Sequence, residues 1–221
     1  MDMNEEKPAK ESLKSKTLIC FDFDKTLVNG HFHSALQNQG LAPADASGKG
    51  LMVVGQDTPK NPEYNSNDVV KAAKDLLDNP ETGIKNPEQL KQTFDKMLAQ
   101  GHAIAITSFT QYPDVVKPAL QVIGLSDEQI SKIHIIGGFP SHGKPDNSPD
   151  GKKEHIDKAM ELAGVEKGNY KYVMLVDDSA NNINKAREMG ITTIEAPKGI
   201  NPNPKYLQEA QSRSARVAES V

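Results

Sequence analysis

The sequence predicts an α/β fold with a mainly parallel sheet, from two observations. Short buried strands alternate with amphipathic helices through the second half of the chain, which is typical of a parallel sheet covered by helices on both faces. Several helices end at glycines, as at Gly101, Gly164 and Gly190, and glycine is the usual residue just beyond a helix C-terminus. We therefore expect one α/β domain.

Length and composition limit the class of protein. The chain has 221 residues, enough for one well-buried domain with a small insertion. Its net charge is −4 and its folded part has no basic block, so we expect no nucleic-acid partner. The single cysteine, Cys20, excludes an intramolecular disulfide and has the apolar neighbours of a core thiol. We expect no signal peptide and no transmembrane segment, and hence a cytoplasmic location by default.

The first part of the chain contains one strand and a long polar segment. Residues 1–16 are rich in Glu, Lys and Pro and are expected to form a flexible arm. The first strand is expected over Thr17–Asp22. Leu27–Tyr64 carries many Gly, Pro, Asn and Asp residues, which predicts a loop with a short helix near His33–Asn38 and an apolar piece at Leu51–Val54.

From residue 67 onward, helices and strands alternate. Apolar residues near helical spacing predict helices at Asn67–Asp78, Pro87–Gln100, Asp114–Ile123, Lys152–Ala163 and Asn181–Met189. Short apolar runs predict strands at Ala103–Thr107, Lys132–Ile136, Tyr172–Val176 and Ile191–Glu195. Gly137–Gly151 is expected to be a loop, and residues 201–221 a C-terminal helix or linker that follows a domain over 17–200.

Polar side chains stand at the ends of these strands, where open α/β sheets bind ligands. The first strand runs into Asp22-Phe23-Asp24, the second into Thr107-Ser108 and the fourth into Asp177-Asp178, and a helix start adds Lys152-Lys153. Each of these pairs alone is more often a turn, a helix cap or a solvated charge. Together they give the residue types that phosphoryl transfer through an aspartyl phosphate requires.

The chemistry gives the aspartates their expected roles. Carboxylates that converge on one spot repel each other unless a hard cation lies among them, so we expect Mg²⁺ at Asp22 and Asp177, with Asp178 as a ligand through water or a supporting partner. Asp22 is the expected nucleophile. Asp24 is the expected acid that protonates the leaving oxygen and the base that then activates water.

The remaining candidates would bind phosphate and substrate. We expect the Thr107 hydroxyl, with Ser108 beside it, and the ammonium of Lys152 or Lys153 to hold phosphate oxygens. The spacing to the apolar residues of that helix leaves Lys153 open, whereas counting back from the helix end at Gly164, as in related families, favours Lys152. His31 is a candidate for contact with a substrate ring, although a polar histidine in an ordinary loop is the commoner interpretation of that position.

This arrangement resembles the haloacid dehalogenase (HAD) superfamily of phosphatases, in its compact type with a small cap or none. Residues 22–26, Asp-Phe-Asp-Lys-Thr, resemble its first motif, D-x-D-x-T, in which the first Asp is the nucleophile and the second is the acid and base. The resemblance also implies that the backbone carbonyl of Asp24 binds Mg²⁺. The later motifs are matched by Thr107, by Lys152 or Lys153, and by Asp177-Asp178 with Asn182 and Gly190.

The resemblance covers Leu18 to Glu195 and implies a Rossmann-like three-layer sandwich with the strand order 3-2-1-4-5. Receiver domains of two-component signalling share the Asp pair, the further Asp, the Thr and the Lys. In those domains the Asp pair comes first and the Lys last. Here D-x-D opens the chain and the D-D pair follows the lysines, so the order of the motifs favours the HAD superfamily.

Cap insertions decide which substrates reach the site of a HAD enzyme. The segment 27–85 has room for a flap or at most a small cap, and Gly137–Gly151 is too short for a domain. His142 and Lys144 in that second loop are candidates for the rim. An open site suits a phosphate that protrudes from a macromolecule.

The first hypothesis is therefore a Mg²⁺-dependent phosphatase of phosphomonoesters on a macromolecule such as a phosphoprotein. Action on phosphotyrosine, and export as a bacterial effector into a host cell, follow by analogy with some compact bacterial members of the superfamily. A small-metabolite or nucleotide phosphatase with Leu27–Tyr64 as a working cap is the second hypothesis. The third is a binding module that keeps the fold without turnover, and the intact motif positions argue against it.

Overall fold

The computed structural model describes residues 17–45, 49–56, 61–84, 87–141 and 148–196. The expected arm at 1–16, the expected helix or linker at 201–221, and the rim candidates His142 and Lys144 lie outside the described residues. In the described part of the chain, no helix has both the length and the apolar character needed to cross a membrane.

The described residues form six strands and seven α-helices. The strands are β1 (Leu18–Phe21), β2 (Gly50–Val53), β3 (Ala103–Thr107), β4 (Ile133–Phe139), β5 (Val173–Asp177) and β6 (Thr192–Glu195). The helices are α1 (Phe32–Asn38), α2 (Ser66–Asp78), α3 (Pro87–Ala99), α4 (Val116–Ile123), α5 (Asp127–Ile130), α6 (Lys153–Ala163) and α7 (Ala180–Glu188). Short 3₁₀ turns at Pro113–Val115 and Tyr170–Tyr172 lead into α4 and β5.

The six strands form one sheet in the order β2-β4-β3-β1-β5-β6. Every neighbouring pair is parallel except β2 and β4, which are antiparallel. The five parallel strands therefore follow the order 3-2-1-4-5 when they are numbered along the chain. This confirms the Rossmann-like fold that the sequence indicated.

The edge strand β2 was not predicted as a strand. The apolar piece near Leu51–Val54 pairs with the second half of β4, so that Val53 faces Ile136 and Gly50 faces Phe139. Because this pairing with β2 also stabilises the end of β4, that strand continues to Phe139, although the Gly-Gly pair at 137–138 predicted a loop from residue 137. Strand formation here depends on a partner about 80 residues away, and local sequence carries little information on such pairings.

The side chains of the sheet alternate between two hydrophobic cores. In β1, Ile19 and Phe21 face the core formed with α1, α2, α3 and α4, whereas Leu18 and Cys20 face the core formed with α6 and α7. Phe32 and Leu36 of α1 are buried in the first of these cores. The described parts of Leu27–Tyr64 thus contribute one helix to the core and one strand to the sheet.

Helix starts carry the capping side chains that their sequences allow. Asn65 accepts hydrogen bonds from the N–H groups of Asn67 and Asp68 at the start of α2. Helix α5 was missed by the sequence analysis, although Ser126 and Gln129 form a capping box in front of it. The expected helix at Asp114–Ile123 is divided into the 3₁₀ turn and α4.

Candidate active site

Strand alternation places three polar side chains side by side. Cys20, Ala105 and Leu175 occupy neighbouring positions on β1, β3 and β5, and all face α6. Side chains two residues apart on a strand point to the same face. Asp22, Thr107 and Asp177 are each two residues further on, at the carboxyl ends of these strands. The Asp22 N–H donates to the carbonyl of Val176 (2.8 Å), which extends the pairing of β1 with β5 to that residue.

Lys152 connects these three strand ends from the start of α6. Its ammonium contacts the Asp22 carboxylate, lies 3.0 Å from Asp177 Oδ2, and donates to the carbonyl oxygen of Thr107. The Lys152 side chain is fully buried. A buried ammonium is costly unless it is paired, and here three oxygens surround it.

Lys153 does not join this group, which corrects its inclusion among the candidates. Its ammonium pairs with Asp157 one turn further along α6, and its side chain is 40% exposed. Successive residues of a helix point about 100° apart, so only one of the two lysines can face the strand ends. The rotation of α6 selects Lys152.

Asp177 and Asp178 complete a cluster of carboxylates with Asp22. The three side chains each present an oxygen within 4.8 Å of the others. The Asn182 amide donates to both oxygens of Asp177 (3.2 and 3.1 Å), and the N–H of Ser179 donates to Oδ1 (2.8 Å). These donors fix the orientation of the Asp177 carboxylate.

Burial raises the pKa values of two acids of the cluster, Asp22 and Asp178. Burial raises the pKa of Asp22 to about 8, against the opposing attraction of Lys152 and with further repulsion from Asp177. Burial and the neighbouring Asp177 also raise the pKa of Asp178. Oxygen ligands at this density are what Mg²⁺ prefers, and a cation would lower these pKa values by favouring the ionised carboxylates. The donor set therefore fits a hard divalent cation.

Asp24 lies beside the cluster but is held separately. Its Oδ1 accepts from the N–H of Phe32 (2.8 Å) and its Oδ2 from the N–H of His33 (3.3 Å), at the N-terminus of α1. Burial is the main cause that raises the pKa of Asp24. Its carboxylate does not belong to the close group formed by the other three, so its predicted metal contact rests on the backbone carbonyl that the resemblance implies.

The predicted substrate-binding residues lie at the same edge of the sheet. Thr107 is fully buried, and among the described residues its hydroxyl has no hydrogen-bond partner. Ser108 is also buried, and its N–H donates to the carbonyl of Ile136 (2.9 Å). The His31 side chain is 44% exposed; its Nδ1 lies 3.5 Å from Asp24 Oδ2 and accepts from the N–H of Ser34. His31 therefore takes part in starting α1.

Two residues around Lys152 were not identified from the sequence. The Lys152 ammonium lies 5.4 Å from the centre of the Phe109 ring, and His155 packs edge-on against that ring at 5.0 Å. Phe109 follows the Thr107-Ser108 pair, and His155 lies one helical turn after Lys152. That one-turn spacing was the available signal for His155, whereas nothing local distinguishes Phe109 from a core phenylalanine.

Comparison with known proteins agrees with this geometry. A family model described as Acid Phosphatase matches residues 14–208. The structure is similar to that of the Legionella pneumophila effector Ceg4, at 14% identity over 90% of this chain and 94% of that one, with a TM-score of 0.52. It is also similar to an inactive mutant of the HAD domain of the Legionella pneumophila effector Lem4, at 14% identity over 93% and 97% of the two chains and a TM-score of 0.52.

No curated protein sequence matches the chain. At 14% identity the two structural likenesses concern the fold alone. The family model is stronger evidence, since it spans nearly all of the described residues and every motif named above. The chain therefore belongs to the Acid Phosphatase family.

Proposed function

We propose that this protein is a Mg²⁺-dependent phosphatase that hydrolyses phosphomonoesters through an aspartyl phosphate on Asp22. The observation that carries the proposal is the convergence on Lys152. Its buried ammonium contacts Asp22, Asp177 and the carbonyl of Thr107, which come from three strands distant in sequence. A set of residues that serves only to stabilise the fold has no need for this many buried charges.

The residues divide the reaction into two steps. Asp22 attacks phosphorus, and the bond from phosphorus to the leaving oxygen breaks as Asp24 donates its proton to that oxygen. Asp24 then takes a proton from water, whose oxygen attacks phosphorus and releases phosphate and the free Asp22 carboxylate. The raised pKa of Asp24, caused mainly by burial, supports the first role because it favours the protonated form of the carboxyl group. The free hydroxyl of Thr107 and the Lys152 ammonium are positioned for the remaining phosphate oxygens.

Asp22, Asp177 and Asp178 are the side chains that would hold Mg²⁺, together with the backbone carbonyl of Asp24. The cation would neutralise charge on the phosphoryl oxygens and between the carboxylates. Asn182 keeps the Asp177 carboxylate in position through both of its oxygens.

The substrate is proposed to be a phosphoprotein, with phosphotyrosine as the phosphorylated residue. Two features support this proposal. First, the described parts of Leu27–Tyr64 contribute α1 to the core and β2 to the sheet, which supports a site without a large cap that is open to a macromolecule. Beside Asp24, the His33 ring packs against Tyr112 and Phe139, both at 5.5 Å, and lies 6.3 Å from the ring of His31. An aromatic leaving group would find aromatic partners next to the acid.

Hydrolysis of para-nitrophenyl phosphate tests the catalytic proposal. We expect activity with Mg²⁺, its loss with EDTA, and a fall of about 10³-fold or more in Asp22→Asn, which lacks the nucleophile. Activity that survives in Asp22→Asn would exclude the aspartyl phosphate. If the wild type has no activity on any phosphomonoester in the presence of Mg²⁺, the protein is a binding module that keeps the fold.

A substrate panel tests the class of substrate. We expect a higher kcat/KM for phosphotyrosine peptides than for phosphoserine peptides, sugar phosphates or nucleotides. A strong preference for one nucleotide or sugar phosphate would instead establish a small-metabolite phosphatase.

Location is a separate proposal. The two similar structures are those of effectors of Legionella pneumophila, and by analogy we propose that this protein acts inside a host cell after export. A reporter enzyme fused to the chain should then be detected in host cytoplasm during infection. A reporter that stays within the bacteria would exclude export.

A further inference from the structure

His155 is a fully buried histidine that the proposed reaction does not use. It lies on α6 one helical turn after Lys152, in the core formed with the sheet. Its Nε2 lies 3.0 Å from the carbonyl oxygen of Gly138, near the end of β4. Because a carbonyl can only accept, this hydrogen bond requires the proton on Nε2. In the described part of the chain, the other ring nitrogen, Nδ1, makes no hydrogen bond of ordinary geometry, although the backbone of Ser108 also interacts with the ring.

Gly138 connects this contact to the loop after β3. Its N–H donates to the carbonyl of Thr110 (2.7 Å), so that one residue links His155 to that loop. Gly138 has a φ of +95°, and a Cβ there would lie 2.2 Å from the carbonyl oxygen of Gly50. Only glycine fits this crossing of β2, β4 and α6, which makes its carbonyl a fixed acceptor for His155.

Phe109 provides the second contact. Its ring packs edge-on against His155 at 5.0 Å, and the Lys152 ammonium lies 5.4 Å from the centre of the same ring. Lys152 is the residue just before the first turn of α6, and its side chain makes no capping hydrogen bond to that turn. The first turn of α6 is therefore held to the strand ends through His155, both by Phe109 and by the carbonyl of Gly138.

We infer that His155 is a positioning residue, which holds the Lys152 ammonium against Asp22, Asp177 and the carbonyl of Thr107. This inference rests on the proposed function only where activity is the readout. Without the His155 N–H, α6 loses its hydrogen bond to β4, and without the imidazole ring Phe109 loses its edge-on partner. The ammonium is then free to leave the strand ends for solvent or for another acid.

Three substitutions separate the hydrogen bond from simple packing. His155→Gln keeps an N–H donor at about the reach of Nε2, His155→Asn keeps a polar group that is too short, and His155→Leu keeps bulk without a donor. His102→Leu is the matched control, because His102 is also buried but lies at the opposite end of β3 from Thr107. Melting temperatures establish that each variant is folded under the assay conditions.

Kinetics on para-nitrophenyl phosphate give the first readout. We expect His155→Leu and His155→Asn to lower kcat about 10- to 100-fold with KM changed less than about threefold, as for other residues that support a catalytic group. His155→Gln should restore kcat to within about threefold of the wild type, and His102→Leu should match the wild type. Equal losses in His155→Gln and His155→Leu, or no loss in either, would overturn the inference.

Chemical labelling gives a readout that needs no turnover. Acetic anhydride acetylates accessible lysines, and mass spectrometry compares Lys152 with its partly exposed neighbour Lys153. We expect Lys152 to be protected in the wild type, in His155→Gln and in His102→Leu, and to be labelled in His155→Asn and His155→Leu. Protection of Lys152 in all variants would overturn the inference. If the wild type proves inactive, the proposed function fails and the labelling still decides the role of His155.

Discussion

The ammonium of Lys152 and the carboxylate of Asp177 form a buried ion pair, with 3.0 Å between Nζ and Oδ2 and almost no exposure of either side chain. The same ammonium contacts Asp22, so one cation compensates two carboxylates. Removal of one partner of a buried pair leaves an uncompensated charge and costs about 3–5 kcal/mol, whereas exposed pairs contribute little. We therefore expect both activity and stability to depend on this one lysine.

We predict opposite results for Lys152→Met and Lys153→Met, two neighbouring substitutions of the same kind. Lys152→Met should lower kcat/KM about 10²- to 10³-fold, because the phosphate loses a charged donor. Lys153→Met should stay within about twofold of the wild type, because it removes only a partly exposed pair with Asp157. Steady-state kinetics with excess Mg²⁺ measure both. Similar losses in the two variants would contradict the placement of Lys152.

The same pair of variants should differ in how Mg²⁺ affects stability. Without Lys152, the carboxylates of Asp22 and Asp177 depend more on a bound cation, so Mg²⁺ should raise the melting temperature of Lys152→Met more than that of the wild type. Lys153→Met should respond as the wild type does. An equal response in all three proteins would indicate that the cation does not bind at these carboxylates.

Asn182 should control the affinity for Mg²⁺ without touching the phosphate. Its amide donates to both oxygens of Asp177, and it is buried. We predict that Asn182→Leu raises the Mg²⁺ concentration for half-maximal activity about 10- to 100-fold, the usual effect of removing a support of a metal ligand. Asn184→Leu is the control, because Asn184 is exposed on the same helix. Titration of activity with MgCl₂ gives both values, and an unchanged midpoint in Asn182→Leu would refute the role.

Much of this site could be predicted because its residues are fixed by strand periodicity. Asp22, Thr107 and Asp177 each end an apolar run, and parallel strands place their carboxyl ends at one edge of the sheet. Local sequence and a fixed strand geometry were sufficient for these strand ends. The order of the strands in the sheet was instead implied by the resemblance to the HAD superfamily.

The rest depends on contacts between distant segments. Local sequence left both Lys152 and Lys153 open, and the choice between them depends on how α6 is rotated against the sheet. Strand β2 forms because it pairs with β4, and His155 acquires its contacts only when Gly138 of β4 and Phe109 of the loop after β3 reach it. The capping box of α5 was different, since Ser126 and Gln129 could have been recognised from the sequence.

Lys25, which lies between Asp24 and Thr26, should carry backbone strain. Among the described residues it is the one non-glycine residue with a positive φ, at 60°. A side chain in this region costs about 1–2 kcal/mol, which glycine avoids at the expense of greater entropy in the unfolded chain. We predict that Lys25→Gly is about 1 kcal/mol more stable than Lys25→Ala in urea denaturation.

The comparison of these two variants isolates the backbone, because both remove the lysine charge. Equal stability of Lys25→Gly and Lys25→Ala would show that the strain only offsets the greater entropy of glycine in the unfolded chain. A lower stability of Lys25→Gly would contradict the prediction of strain at this turn.

His155 should make the protein less stable in mild acid. Burial, with the neighbouring charge of Lys152, lowers its pKa to about 3 in the folded state, whereas an unfolded histidine has a pKa near its usual 6.5. Between these values the unfolded chain binds a proton that the folded protein does not. The free energy of unfolding therefore falls as the pH falls from about 6.5 towards 3, by at most about 1.4 kcal/mol per pH unit.

Substitution of His155 by Gln removes this titration and leaves the other acids in place. Asp22 and Asp24, whose raised pKa values act in the opposite direction, contribute to both proteins and cancel in the comparison. Between pH 7 and pH 5 we predict that the wild type loses about 2 kcal/mol more of its free energy of unfolding than His155→Gln does. Urea denaturation at the two pH values measures this difference. A parallel decline in the two proteins would mean that His155 takes up a proton in the folded state, and its neutral role beside Lys152 would then be wrong.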